Sequence, residues 1–210
     1  MLKEKEYISA LMLIAFFAMT ILGISSASGS QYLHLVPTAF LISAIVLVVN
    51  NKYHNFDHYF FYGLIFILSF GIHLSLDFFN VSVLKPNYSN SFGIKLFNIP
   101  LVIPVLWFVI INSVNGVLRK FRLNTYLAAF IGAFLVLILD VFIEAQAIKF
   151  GFWSWVGDET PIANYIWWFS LSFGFILASF KIGIRNNTFM GTTIYVLLLL
   201  FFAASDAISF

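Results

Sequence analysis

Seven apolar runs of about 20 residues each, separated by short polar segments, confine this chain to a lipid bilayer. They span residues 7–26, 32–50, 59–80, 99–117, 125–148, 162–182 and 190–209. Inside hydrocarbon every backbone N–H and C=O must be paired within the protein, and a helix pairs them all locally. The expected fold is therefore all-α, a polytopic integral membrane bundle of seven transmembrane helices. Composition agrees, with 61% hydrophobic and 10% charged residues against about 25% charged in soluble domains. The spans consume nearly all of the 210 residues, so a single transmembrane domain, 1–210, is expected and no soluble module.

Charge orients the bundle. Lys3, Lys5, Lys52, Arg119, Lys120, Arg122, Lys181 and Arg185, eight of the eleven basic residues, fall in the N-terminus and in the segments after the second, fourth and sixth runs. Lys85, Lys95 and Lys149 fall on the other side. Positive-inside bias then puts the N-terminus in the cytoplasm and suits a multi-pass protein of the cell (inner) membrane. A second reading of the first run is a signal peptide, with Lys3 and Lys5 before an apolar core and a cleavage site near Ser25, Ser26 and Ala27. The net charge of +2 and the scattered Lys and Arg point away from nucleic acid. The absence of cysteine excludes disulfides, thiolate nucleophiles and Cys-ligated metals.

Polar residues inside the spans mark the site. Asp140 and Glu144 interrupt the fifth run, TYLAAFIGAFLVLILDVFIEAQAI, at a cost of roughly 2.5–3.5 kcal/mol each on insertion scales. Their i,i+4 spacing puts both on one helix face. Two neighbouring carboxyls in such a setting can divide acid and base roles, one protonated and one ionised. On the proposed topology several other residues reach the same level: His73 and Asp77, also i,i+4, at the end of the third run; Asn98, Pro100, Pro104 and Trp107 early in the fourth; Asn164, Trp167 and Trp168 early in the sixth; and Asp206 at the end of the seventh. A polar pocket toward the outer leaflet is the expectation.

Each feature also has a plainer reading. The carboxyl pair could be a structural hydrogen-bond network, and His73 with Asp77 a bond that orients helices. GFWSW (151–155) with Trp167 and Trp168 could be an interfacial aromatic belt, or it could line a pocket for a cationic species. Asn164 needs a partner, with Asp140 or a substrate water as candidates, and Pro100 and Pro104 set the start and a bend of the fourth span. Neither Glu-x-x-His nor HExxH occurs, so no metal is expected.

The fifth span with its Asp-x-x-x-acid, GFWSW, then Pro161 and Asn164 leading into WWF, preceded by FGIKLFNIPLVIPVLW, resembles the polytopic carotenoid biosynthesis proteins typified by carotenoid 1,2-hydratase and bisanhydrobacterioruberin hydratase. The likeness spans roughly residues 60–175 and falls on Asp140, Glu144, Gly151, Trp153, Trp155, Pro161, Asn164 and Trp168. Two positions depart from the family pattern: Glu144 and Ala145 stand where Asp-Pro is common, and His73 then Asp77 where the third span usually has an acid.

The resemblance implies a hydro-lyase that adds water across the terminal C1=C2 bond of an acyclic ψ end group and needs no cofactor. Asp140 would then protonate the alkene, and Glu144 or Asp77 would stabilise the cation and take a proton from the attacking water. Trp153, Trp155 and Trp168 would shield the cation and Asn164 hold the water, with His73 and Trp107 completing the substrate site. The partners implied are a lipophilic carotenoid reaching the site laterally from the bilayer, membrane lipid, and other carotenoid enzymes.

Other functions compete. An end-group cyclase starts with the same protonation and differs in whether water is admitted. A proton-coupled transporter would use Asp140, Glu144 and His73 as a relay, but the inner half of the spans offers little beyond Asn112 and Asn115. A scaffold for other pigment enzymes is a further alternative. A retinal-binding role fails, because the last run has no lysine for a Schiff base.

Overall fold

The computed structural model describes residues 2–26, 28–81, 84–157 and 159–205. Ala27 of the candidate cleavage site, Asp206 and the end of the seventh apolar run lie outside them. Seven α-helices form among the described residues: α1 (Leu2–Ile24), α2 (Leu35–Asn50), α3 (Phe56–Phe78), α4 (Val102–Leu118), α5 (Thr125–Lys149), α6 (Ile162–Ile182) and α7 (Thr188–Ser205). The chain is a helical membrane bundle. Six helices are long and apolar enough to cross a bilayer.

The exception is α4, whose 17 residues rise roughly 26 Å at 1.5 Å per residue. Sequence alone starts this helix at residue 99. In the structure residues 95–100 form a hairpin, β2 (Lys95–Leu96) against β3 (Ile99–Pro100), turned by Phe97 and Asn98 at positive φ. Asn98 is thus a turn residue and not part of a span. Pro104 sits in the first helical turn, where its missing N–H would have had no intrahelical partner, so no bend is needed to accommodate it.

Short as it is, α4 is the hub. All its residues except Val117 are buried, with α2, α3, α5, α6 and α7 packed around it. An all-round apolar helix is the kind that occupies such a centre. Small residues permit the closest approach, where α4 meets α7. A Cβ added at Gly116 would stand 2.8 Å from the Cα of Gly191 and 3.1 Å from the Asn187 carbonyl oxygen. Gly116→Ala is therefore expected to destabilise the bundle by about 1–3 kcal/mol, read as a lower thermal midpoint in detergent. Gly174→Ala on α6, where a Cβ meets nothing within 4 Å, should leave the midpoint unchanged or raise it.

The two ends of the bundle differ. At the end holding Lys52, Arg119 and Arg185, buried amides and hydroxyls tie helices together. Asn186 Nδ2 donates to Asn112 Oδ1 at 2.8 Å, Ser179 Oγ to Asn115 Oδ1 at 2.9 Å, and Asn187 Nδ2 to the Asn50 carbonyl at 2.8 Å. Asn112 and Asn115 thus serve packing.

At the other end two loops become a lid of short strands. β1 (Asn87–Tyr88) pairs antiparallel with β4 (Trp153–Ser154), in the register Asn87↔Ser154 and Tyr88↔Trp153. The chain reaches β4 through a Schellman turn. Gly151 adopts φ +66°, its N–H donates to the Ile148 carbonyl, and the N–H of Phe152 donates to that of Ala147. That reversal carries Trp153 and Trp155 back over the end of α5. Gly151→Ala has free space but the wrong φ, which predicts a loss of about 1 kcal/mol and a shift in Trp fluorescence.

Candidate active site

Glu144 sits on α5 with only 2% of its surface exposed, and four side chains converge on it. Trp153 Nε1 and Trp155 Nε1 donate to Oε2 at 3.0 and 2.9 Å, and Thr160 Oγ hydroxyl to the same oxygen at 3.2 Å. Asn164 Nδ2 donates to Oε1 at 3.0 Å. An indole N–H can only donate. The arrangement is a cradle built for an acceptor-only, ionised carboxylate. The sequence reading gave these tryptophans a cation to shield; the structure turns the N–H of Trp153 and Trp155 onto the carboxylate. Asn164 likewise meets Glu144 rather than Asp140.

Asp140, one turn away, has the opposite surroundings. It is fully buried, and among the described residues neither carboxyl oxygen meets a hydrogen-bond partner. Helices α5 and α6 run antiparallel in a register shown by Glu144 beside Asn164 and by Gly132 beside Ile176. The same register sets Asp140 at the level of Trp168. The Trp168 ring is buried and stacked on Trp107 of α4, with centroids 4.2 Å apart and planes 18° from parallel. The Trp107 Nε1 is buried without a hydrogen-bond partner among the described residues. The pair of carboxyls thus sits between two layers: the indole and amide cradle on Glu144 and the stacked indole pair at the level of Asp140.

His73 and Asp77 do not join this layer directly, nor do they bond each other. Asp77 Oδ1 pairs with Lys85 Nζ at 2.8 Å, half-exposed at the end of α3. His73 Nδ1 lies 3.1 Å from the Tyr88 hydroxyl. Burial, and secondarily the nearby Glu144 charge, pushes the Tyr88 phenol above its ordinary value, so it keeps its proton, and the His73 tautomer sets which of the two donates. Tyr88 also packs edge-on against Trp153, with centroids 6.1 Å apart. Through that contact His73 reaches the wall of the Glu144 cradle at second hand.

Sequence reasoning missed Thr160 and Tyr88. Thr160 lies in the polar segment next to Pro161, where a hydroxyl carries no signal. Tyr88 matters through a two-residue strand pairing that no periodicity announces. Among the described residues no group of three or more His, Asp or Glu could hold a metal ion.

A family model described as "Carotenoid biosynthesis protein" matches residues 7–208. The chain belongs to that family. Its role lies in carotenoid biosynthesis, and it acts there as a membrane protein. No curated protein and no solved structure matches the chain. The match takes in α1 from residue 7, α2 to α7 and both loops of the strand lid, so the cradle and Asp140 fall wholly within the matched residues of this carotenoid biosynthesis protein.

Proposed function

We propose that the protein is a carotenoid hydratase, a hydro-lyase that adds water across the terminal C1=C2 bond of an acyclic ψ end group. The observation that carries this is the contrast between two carboxyls one turn apart: among the described residues Glu144 holds four donors and Asp140 none. A charge buried without partners is very costly, so Asp140 is the carboxyl that holds the proton. Glu144, its lone pairs filled by fixed donors, is a poor base and a good preorganised negative charge.

The reaction then balances on one acid. The alkene π pair takes the Asp140 proton to form a C2–H bond and leaves a tertiary cation at C1. The fixed Glu144 carboxylate stabilises that cation, with the Trp107 and Trp168 rings beside it. A water oxygen bonds to C1 and its proton returns to Asp140, giving the tertiary alcohol with the enzyme unchanged. The acid needed to start and the base needed to finish are the same side chain. Asp77, neutralised by Lys85, serves better at the mouth of the site than as the second catalytic carboxylate.

The substrate is a long lipophilic polyene already dissolved in the bilayer. A groove of about 420 Å3 between α3 and α6, lined by Ile67, Leu68, Gly71, Ile72, Leu76 and Trp167, supports lateral access. We read all seven helices as crossing, with α4 sheltered from lipid by the others, the N-terminus cytoplasmic and the strand lid outside. For a cell with a single or inner membrane, that membrane is the site of action, alongside other carotenoid enzymes.

A proton relay through the bundle is disfavoured, because Val109, Ile110, Ile111, Val136, Leu139 and Ile176, all fully buried, lie between the carboxyl pair and the amides at the far end. The deciding experiment is expression in cells that accumulate lycopene, followed by mass analysis of the pigment. A product heavier by one water is expected. An isobaric product with altered retention would instead establish cyclisation, and unchanged pigment from well-folded protein would overturn both.

A further inference from the structure

A hydratase embedded in lipid takes two substrates from two phases. The polyene arrives through hydrocarbon, whereas the water must come from an aqueous face. We propose that the cleft between the end of α3 and the strand lid is the entrance for that water, with Tyr88 as its gate; this rests on reading Asp140 and Glu144 as the reacting pair.

The cleft has a volume of about 290 Å3 and is lined by His73, Asp77, Lys85, Tyr88, Lys95 and Asn98 among others. Its lining suits water and not hydrocarbon. Asp77 and Lys85 form an ion pair across it at 2.8 Å, and Lys95 Nζ donates to the Tyr88 carbonyl at 2.6 Å. At its inner wall the Tyr88 hydroxyl meets His73. Directly across the β1–β4 pair stands Trp153, whose indole N–H rests on Glu144 Oε2. Among the described residues, Tyr88 and Trp153 thus form a continuous contact path from the cleft to the buried carboxylate.

Elsewhere around the carboxylate stand half-buried Thr160, which donates to Oε2 at 3.2 Å, and apolar side chains. A small cavity on the other side of Trp153 is lined by Val36, Phe40, Leu106, Ile143, Phe152 and Phe202 among other apolar side chains, which gives water no hydrogen-bond partners. Toward the bundle interior Val109, Ile110 and Leu139 are sealed. Tyr88 is suited to swing. Its ring is held by one side-chain hydrogen bond and by edge contacts with the His73 and Trp153 rings, while its backbone is anchored by the strand and by Lys95. With Tyr88 in place the intermediate cation is screened from bulk water, and opening admits water from the side of Glu144.

The chain has no cysteine of its own, so single cysteines report water access without interference. Asp77→Cys probes the cleft. Asp140→Cys probes the reacting pair, at a position where no side-chain hydrogen bond is lost. In membranes treated with a small charged methanethiosulfonate, Asp77→Cys should label readily. Asp140→Cys should label slowly, and on the order of tenfold faster when Tyr88→Ala removes the barrier to local opening. Tyr88→Phe, which keeps the ring and loses the His73 bond, should fall between.

No labelling of Asp77→Cys in folded protein, or a labelling rate of Asp140→Cys that ignores Tyr88, would overturn the proposal whatever pigment is made. Labelling that follows Tyr88 in a protein that produces no hydrated pigment would keep the aqueous path and overturn only the hydration reading.

Discussion

Glu144→Ala is expected to unfold the lid end of the bundle, whereas Glu144→Gln folds and is inactive. Alanine leaves two indole N–H groups and an amide of Asn164 buried without an acceptor. Each such group costs about 1–3 kcal/mol, so the three together cost roughly 3–9 kcal/mol, a large share of a typical net stability of about 5–15 kcal/mol. Glutamine keeps the shape. With its oxygen in the place of Oε2 it still accepts from Trp153, Trp155 and Thr160, and Asn164 can turn its amide to accept from the new NH2. The fold survives while the charge is lost. Removing one preorganised stabilising group typically lowers turnover by about 10²–10³. Thermal midpoints in detergent together with pigment yields per folded protein test this. A stable and active Glu144→Ala would sink the cradle.

Asp140→Asn is expected to do the reverse: abolish product and leave stability unchanged or improved. Among the described residues neither Asp140 oxygen has a hydrogen-bond partner to lose, and the protonated acid and the amide are both neutral and nearly the same shape, so the exchange leaves the packing unchanged. The proton donor disappears with it, at a cost of about 10²–10⁴ in rate for a general acid. Paired with Glu144→Ala, this gives a crossed pattern: one acid whose loss costs chiefly fold, and one whose loss costs only chemistry. A fall in the midpoint of Asp140→Asn comparable to that of Glu144→Ala would show that Asp140 belongs to a structural network and would remove it as the acid.

The carboxyl pair was legible in the sequence because charge at membrane depth is expensive, so any acid there carries a reason. Its spacing also placed both groups on one face. What remained illegible was which acid meets hydrogen-bond donors. That difference depends on donors from residues 153, 155, 160 and 164, brought together by a Schellman turn at Gly151 and the first turn of α6. The same contingency explains the misplaced fourth helix. An apolar run reads alike as hairpin and helix, and only pairing of Lys95 and Leu96 with Pro100 and Ile99 decides between them. His73 and Asp77 share a helix face but take partners from the lid, Tyr88 and Lys85, that lie outside any periodic pattern.

The sequence by itself therefore determined the medium, the helical class, the membership of a membrane family and the helix that bears the acids. These follow from local quantities: apolar run length, composition and i,i+4 spacing. Tertiary structure alone decided the central place of α4, the strand lid, the four donors on Glu144 and the solitude of Asp140. The reason is that a carboxyl's chemistry is set by its neighbours in space, and those neighbours come from chain segments whose meeting is governed by turns and packing rather than by any repeat along the chain.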